Sequence, residues 1–258
     1  MAWAHIEKGE GRPLVLVHGI GMSKRAWLPI MDRLARRRRV VAVDLPGFGE
    51  TKSLSDGLPT PMHYAELLPE AMEDLGVTAP FDIAGLSLGG WVALEAAKRG
   101  STRSVVALSP AGLWARQPRS SHFLLDSAHR LAMARLAPLA TALGSPAGRT
   151  ALMLSIYARP WRMSADFALE SSELLAGCPD WDRALEGLRQ NRFGGGQGIS
   201  VPVTVAFGTR DMIHPPVVAR RRDQLPASHV WISLPGCGHV PMTDDPELVA
   251  SVILAGTE

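Results

Sequence analysis

Short apolar runs alternate with stretches of helical spacing from Pro13 to Leu108. Pro13–Val17 is apolar throughout and reads as a buried strand ending at His18-Gly19-Ile20-Gly21. Trp27–Arg38 places Leu28, Met31 and Leu34 on one face, the spacing of an amphipathic helix. Val40–Val43 is the next strand, closed by the loop Asp44-Leu45-Pro46-Gly47-Phe48-Gly49. Met62–Leu75 reads as a helix with Gly76 in the C-cap position. Phe81–Ala84 is a third strand, Gly89–Arg99 a third helix and Ser104–Leu108 a fourth strand. Strands that are apolar on both faces and alternate with helices predict a mostly parallel central sheet with helices on both faces.

From Ala111 to Gly198 the alternation breaks. Helical spacing continues over Phe123–Leu136, Arg149–Tyr157, Asp166–Leu175 and Trp181–Gln190, with no strand between them. Gly194-Gly195-Gly196-Gln197-Gly198 reads as a flexible return. The strand pattern then resumes at Val201–Phe207 and Val230–Leu234, and Pro246–Leu254 closes the chain as a helix. Both flanks continue one α/β pattern, so the expectation is a core of residues 1–110 and 199–258 with an inserted helical cap over 111–198.

Composition narrows the class. The 258 residues are 46% hydrophobic and 20% charged, the make-up of an ordinary globular protein. Lys+Arg 27 against Asp+Glu 25 leaves a net +2, too small to suggest a nucleic-acid partner. Arg36–Arg39, at a helix end, reads as a solvated face. The cysteines Cys178 and Cys237 form no framework, so a reducing compartment is expected. The opening segment lacks a secretory signal, and no apolar run approaches the roughly 20 residues of a membrane span. These features predict a cytoplasmic monomer or homodimer with a small-molecule substrate and no membrane partner.

Three segments carry chemistry. Phe81–Leu88 followed by Gly89-Gly90 is a strand, a G-x-S-x-G turn and a helix. A sharp strand-to-helix turn at Ser87 lifts its hydroxyl out of the sheet edge, and Gly85 and Gly89 remove side chains where helix and strand cross. The motif alone is a weak signal, and its flanking strand and helix make it a strong one. A serine hydroxyl needs a base to take its proton, and the base needs an acid to orient it. Gly208-Thr209-Arg210-Asp211 follows one late strand and Gly236-Cys237-Gly238-His239 the next, so Asp211 and His239 reach the same sheet edge as Ser87. An oxyanion hole then takes one N–H from Leu88, the residue after the nucleophile, and one from the loop at Ile20.

The stretches Leu-Val-His-Gly-Ile-Gly (16–21), Val-Asp-Leu-Pro-Gly-Phe-Gly (43–49), Gly-Leu-Ser-Leu-Gly-Gly (85–90), Gly-Thr-Arg-Asp (208–211) and Gly-Cys-Gly-His-Val-Pro (236–241) resemble the α/β-hydrolase fold serine hydrolases that carry a helical cap. The resemblance covers the core and leaves the cap unmatched. It implies a Ser87–Asp211–His239 triad and an oxyanion hole at Ile20 and Leu88, with no cofactor. Dehalogenase and epoxide hydrolase branches carry an aspartate at the nucleophile position, and Ser87 argues against both. A carboxylesterase acting on a small or medium hydrophobic ester is the reading favoured here. Cofactor-free perhydrolase (haloperoxidase-like) chemistry, C–C bond hydrolysis and a non-catalytic ligand-binding protein remain open alternatives.

The remaining candidates read as structural. His18 braces its turn, Asp44 holds its loop, and His214, followed by Pro215-Pro216, belongs to loop structure. His5, His63, His122, His129 and His229 have no acidic or cysteine partners at metal-ligand spacing, so no metal is expected. Cys237 reads as a buried support for the His239 loop. The insertion's apolar side chains (Trp114, Phe123, Leu124, Met153, Tyr157, Trp161, Met163, Phe167) are expected to pack within it, some of them lining an acyl pocket.

Overall fold

A computed structural model describes residues 3–116, 118–215 and 220–258. Pro216, of the pair following His214, lies outside them. Seven strands form one sheet: β1 (His5–Lys8), β2 (Pro13–Val17), β3 (Arg39–Val43), β4 (Phe81–Leu86), β5 (Thr102–Leu108), β6 (Val203–Gly208) and β7 (Val230–Leu234), ordered β1-β3-β2-β4-β5-β6-β7. All neighbours are parallel except β1, which pairs antiparallel with β3. The sequence pattern gave no sign of β1. Three of its four residues are exposed, and as an edge strand it has no apolar alternation to display.

Alternation along the inner strands sorts the core into two layers. Val15 and Val17 join Ile83, Tyr64, Leu68 and Trp91 on one face. Leu14 and Leu16 join Trp27, Ile30, Leu34 and Ile253 on the other. Helices α2 (Pro61–Glu73) and α3 (Leu88–Lys98) cover the first face. Helices α1 (Leu28–Ala35) and, near the C-terminus, Pro246–Gly256 cover the second.

The expected helix over Trp27–Arg38 is shorter, and this corrects the reading of the arginine run. The helix stops at Ala35, so Arg38 turns inward instead of facing solvent. Its guanidinium pairs with buried Asp82 and donates to the carbonyls of Arg12, Pro13 and Thr257. Arg39 begins β3 and pairs with Glu7. A periodicity extended through polar residues cannot distinguish a helix end from a turn into the core.

Between β5 and β6 the described residues form helices: α4 (Arg119–Leu143), α5 (Pro146–Met153), α6 (Ala165–Ala176) and α7 (Trp181–Gln190). Helix α4 bends at Arg135 (φ −139°, ψ 28°). Pro138, three residues on, lacks the N–H that would continue the ladder there. Ser145 and Ser164 cap the next helices, accepting from Gly148 N (3.0 Å) and Phe167 N (3.1 Å). The glycine-rich return contains a short 3-10 turn, Gly196–Gly198, and Lys98 Nζ donates to the Gly194 carbonyl at 2.8 Å. Beyond β7 come α8 (Pro241–Asp244) and α9 (Pro246–Gly256). Among the described residues no helix is long and apolar enough to cross a membrane.

Parallel pairing fixes where chemistry can occur. In register, Val17 lies opposite Gly85, Leu86 opposite Leu108, Leu108 opposite Ala206 and Gly208 opposite Leu234. The segments leaving β2, β4, β6 and β7 therefore open along one edge, the carboxyl ends where ligands bind in open α/β sheets.

Candidate active site

Ser87 is the link between β4 and α3, with φ +53° and ψ −111°. That left-handed backbone is strained for a residue with a Cβ. Its main chain is pinned on both sides: Ser87 N donates to Leu108 O (2.9 Å), and Ser87 O accepts from Trp91 N (3.1 Å) and Ala111 N (3.0 Å). Its side chain makes no capping bond to α3, so the hydroxyl is not spent on the helix. The glycines on either side are required by contact. A Cβ on Gly85 would sit 2.1 Å from Gly89 O, and one on Gly89 would sit 2.2 Å from Val17 O.

The loop after β2 supplies the second wall. A Cβ on Gly19 would lie 3.3 Å from Ser87 Cβ, so this backbone runs directly against the serine. His18 is fully buried and its tautomer is set by its partners. Nε2 accepts from Leu45 N (3.0 Å), which leaves Nδ1 to donate to Gly19 O (2.7 Å). Burial lowers the His18 pKa, favouring this neutral form, against the nearby Asp44 charge. Gly19 O also accepts from Met22 N at 3.3 Å. Gly19 C=O and Ile20 N–H belong to one planar trans peptide, so anchoring the carbonyl fixes the opposite direction of the N–H. Leu88 N–H stands at the start of α3, where the first N–H groups have no intrahelical acceptor.

Asp211 and His239 meet across the loops after β6 and β7. His239 Nδ1 lies 3.2 Å from each Asp211 carboxylate oxygen, and both residues are buried. Arg210 N donates to Cys237 O at 2.9 Å, and a Cβ on Gly208 would fall 2.2 Å from the carbonyl oxygens of Cys237 and Gly238. The glycine at 208 is what allows the two loops to approach. Burial alone would raise the Asp211 pKa. The His239 charge and hydrogen bond, aided by His214, outweigh it and hold Asp211 well below the usual carboxylate range. Burial, with nearby Asp244 and Asp245, pushes the Cys237 thiol up to about 12, which makes it an unreactive neighbour.

Two supporting residues escaped the sequence reading. His214, which the sequence pattern places in loop structure, is buried and packs edge-on against His239 with ring centroids 4.7 Å apart. Its Nδ1 lies 3.0 Å from Ser109 O, and its backbone N–H joins that of Ile213 in donating to Asp211 Oδ1 at 2.8 and 3.0 Å. Asp244 accepts from Gly238 N (2.7 Å), Ala158 N (3.0 Å) and Arg159 N (2.7 Å), tying the His239 loop to the helical segment. The adjacent Asp245 caps α9 through Leu248 N (3.1 Å), and a sequence alone does not say which aspartate does which.

Asp211, His214 and His239 are the described residues whose ligand atoms come within 4.8 Å of one another. Asp211 Oδ1 already accepts two backbone N–H groups besides its contact with His239, and His214 Nδ1 faces a carbonyl, so hydrogen bonds already engage these ligand atoms.

Ser87, Ile20 and His239 share one cavity of about 90 Å³. Leu125, Met153, Phe167, Leu174, Leu175 and Trp181 line it from the helical segment. Two of the aromatics expected to pack within that segment do not: Phe123 is 73% exposed and Trp161 44%. Trp114 is buried, edge-on to Trp91 in the sheet core.

The alpha/beta hydrolase family model matches residues 14–252, and the chain belongs to that family. It is 32% identical over 189 residues to the epoxide hydrolase EphH of Mycobacterium tuberculosis, covering 68% of this chain and 85% of that protein. It is 28% identical over 249 residues to the pimeloyl-[acyl-carrier protein] methyl ester esterase of Aliivibrio fischeri, covering 91% and 89%. Several other curated relatives are matched over only about a third of their length. A thermophilic esterase from Thermogutta terrifontis superposes with a TM-score of 0.76 over 98% of this chain and 92% of its own, at 22% identity, a likeness of fold.

Proposed function

We propose that the protein is a serine hydrolase that cleaves an ester of a small hydrophobic acid or alcohol through an acyl-enzyme. The observation that carries this reading is that His239, paired in the interior with Asp211, lines one apolar cavity together with Ser87. His239 takes the Ser87 proton as Oγ bonds to the ester carbonyl carbon, and Asp211 holds the resulting imidazolium. The N–H groups of Ile20 and Leu88 receive the oxyanion. The C–O bond to the alcohol then breaks, with His239 returning the proton to the leaving oxygen. Water, deprotonated by the same histidine, attacks the acyl carbon and releases the acid and free Ser87.

In this reading residues 111–198 are a cap over a core of 1–110 and 199–258. The cap supplies most of the apolar wall, and its cavity suits a short chain. No cofactor takes part. The free thiols Cys178 and Cys237 agree with a reducing compartment, and in this reading the protein works in the cytoplasm. The relative named an epoxide hydrolase does not move the proposal, because the nucleophile position here offers a hydroxyl.

p-Nitrophenyl acetate and butyrate hydrolysis by wild type and Ser87→Ala tests the reading. Wild type is expected to turn over both, and the variant to lose roughly 10³-fold or more with an unchanged melting curve. Equal turnover in the two proteins refutes it.

A further inference from the structure

Charge is almost absent from the cavity wall. His239 aside, the charged side chains among its described lining residues are Arg25 and Glu170, and these form an ion pair with each other. Arg25 belongs to the 3-10 turn Lys24–Trp27, five residues beyond Ile20, where Ser23 Oγ accepts its backbone N–H at 3.3 Å. Glu170 lies on α6, across the cavity. The side chains are 48% and 33% exposed, which places the pair at the mouth, half in solvent. The neighbouring wall offers little else that is polar. Ser171 and Ser172 direct their hydroxyls to the carbonyls of Phe167 and Ala168 in their own helix, at 2.7 and 3.0 Å.

We infer that the Arg25–Glu170 pair is a charge filter, selecting neutral esters over esters that carry a second, free carboxylate. The inference rests on the ester-cleaving reading above and names its substrate class. A neutral ester meets a mouth whose two charges cancel. A carboxylate entering there must displace Glu170 from the guanidinium while sharing the mouth with its like charge, and neither cost falls on a neutral chain. Removing one member therefore changes preference in a direction fixed by which charge remains. Glu170→Gln leaves Arg25 as an uncompensated cation and favours the anionic ester. Arg25→Gln leaves Glu170 alone and disfavours it further. Neither side chain takes part in the bond-breaking steps given above, so the change falls on KM more than on kcat. It also weakens with salt, because the mouth is open to screening.

The experiment compares kcat/KM for p-nitrophenyl butyrate and the mono-p-nitrophenyl ester of glutaric acid, near-matched in length and differing in charge, at low and at about 0.5 M salt. Wild type is expected to favour the butyrate. In Glu170→Gln the glutarate/butyrate ratio is expected to rise roughly tenfold at low salt, and in Arg25→Gln to fall, with both shifts shrinking at high salt. A wild type active on the butyrate, with a ratio that neither substitution moves, overturns the charge filter and leaves the ester reading standing. A wild type inactive on both esters overturns the ester reading and the filter with it.

Discussion

Ser87 holds a backbone conformation that costs on the order of 1–3 kcal/mol, and three backbone hydrogen bonds through its own N–H and C=O keep it there. Its position was legible in the sequence because glycine is needed at both 85 and 89, where backbones meet at contact distance. His18 was legible as a brace, and the structure adds what it braces: the peptide whose other end is Ile20 N–H. His214 was not legible. A histidine followed by prolines has no pattern that announces a buried ring lying against another loop's histidine. The buried histidines have a consequence for acid stability. Burial and the His239 charge lower the His214 pKa to about 3, and burial with the Arg189 charge lowers that of His122 to about 4. Unfolded histidine titrates near 6.5. The folded state thus binds fewer protons below that pH, so the stabilisation is complete above about pH 6.5 and is lost as pH falls through the folded values. The melting temperature is expected to drop steadily from pH 7 to 4.5. His122→Phe, which keeps a ring edge-on to Trp114 but cannot take up a proton, should drop less, with on the order of 1–3 kcal/mol recovered at the acid end. Parallel melting curves for the two proteins would contradict this assignment.

At the scale of elements, apolar content decided what could be read. Strand β2 and helix α7 have the ends that the pattern predicts, since each is bounded by glycine, proline or polar residues. Strand β1 and the inward turn at Arg38 were missed because exposed edges and buried ion pairs share one polar vocabulary. The loop after β3 is governed by Asp44, whose carboxylate accepts from Lys24 N (2.5 Å), Lys24 Nζ (2.8 Å) and Glu50 N (2.9 Å). Gly49, at φ +53°, leaves no room there for a side chain, since a Cβ would sit 2.3 Å from Asp44 Oδ2. The clamp joins this loop to the segment bearing Arg25. Asp44→Ala leaves two N–H donors without their acceptor and a buried ammonium with the exposed Glu50 carboxylate as its remaining ion-pair partner, with a cost of about 3 kcal/mol expected in urea unfolding. Glu50→Gln touches the same ammonium from a carboxylate that is 78% exposed, and should cost under about 1 kcal/mol. Equal losses would show that Asp44 is not the clamp.

The whole molecule divides its labour between sheet and helices. The parallel sheet brings four segment ends to one edge, and that much follows from strand order and hydrophobic runs. Which side chains of the helical segment face the cavity did not follow, because exposed Phe123 and lining Phe167 occupy equally plausible helical positions. The mouth's Arg25–Glu170 pair was likewise invisible, since it joins residues far apart in the chain. The account as a whole depends on Ser87 being a nucleophile activated by His239. The direct measurement is intact-protein mass spectrometry after exposure to a p-nitrophenyl alkylphosphonate ester, followed by peptide mapping. The expected result is one phosphonyl group per chain on the peptide containing Ser87, absent in Ser87→Ala and formed far more slowly in His239→Ala. Labelling elsewhere, or at the same rate in Ser87→Ala, would contradict it.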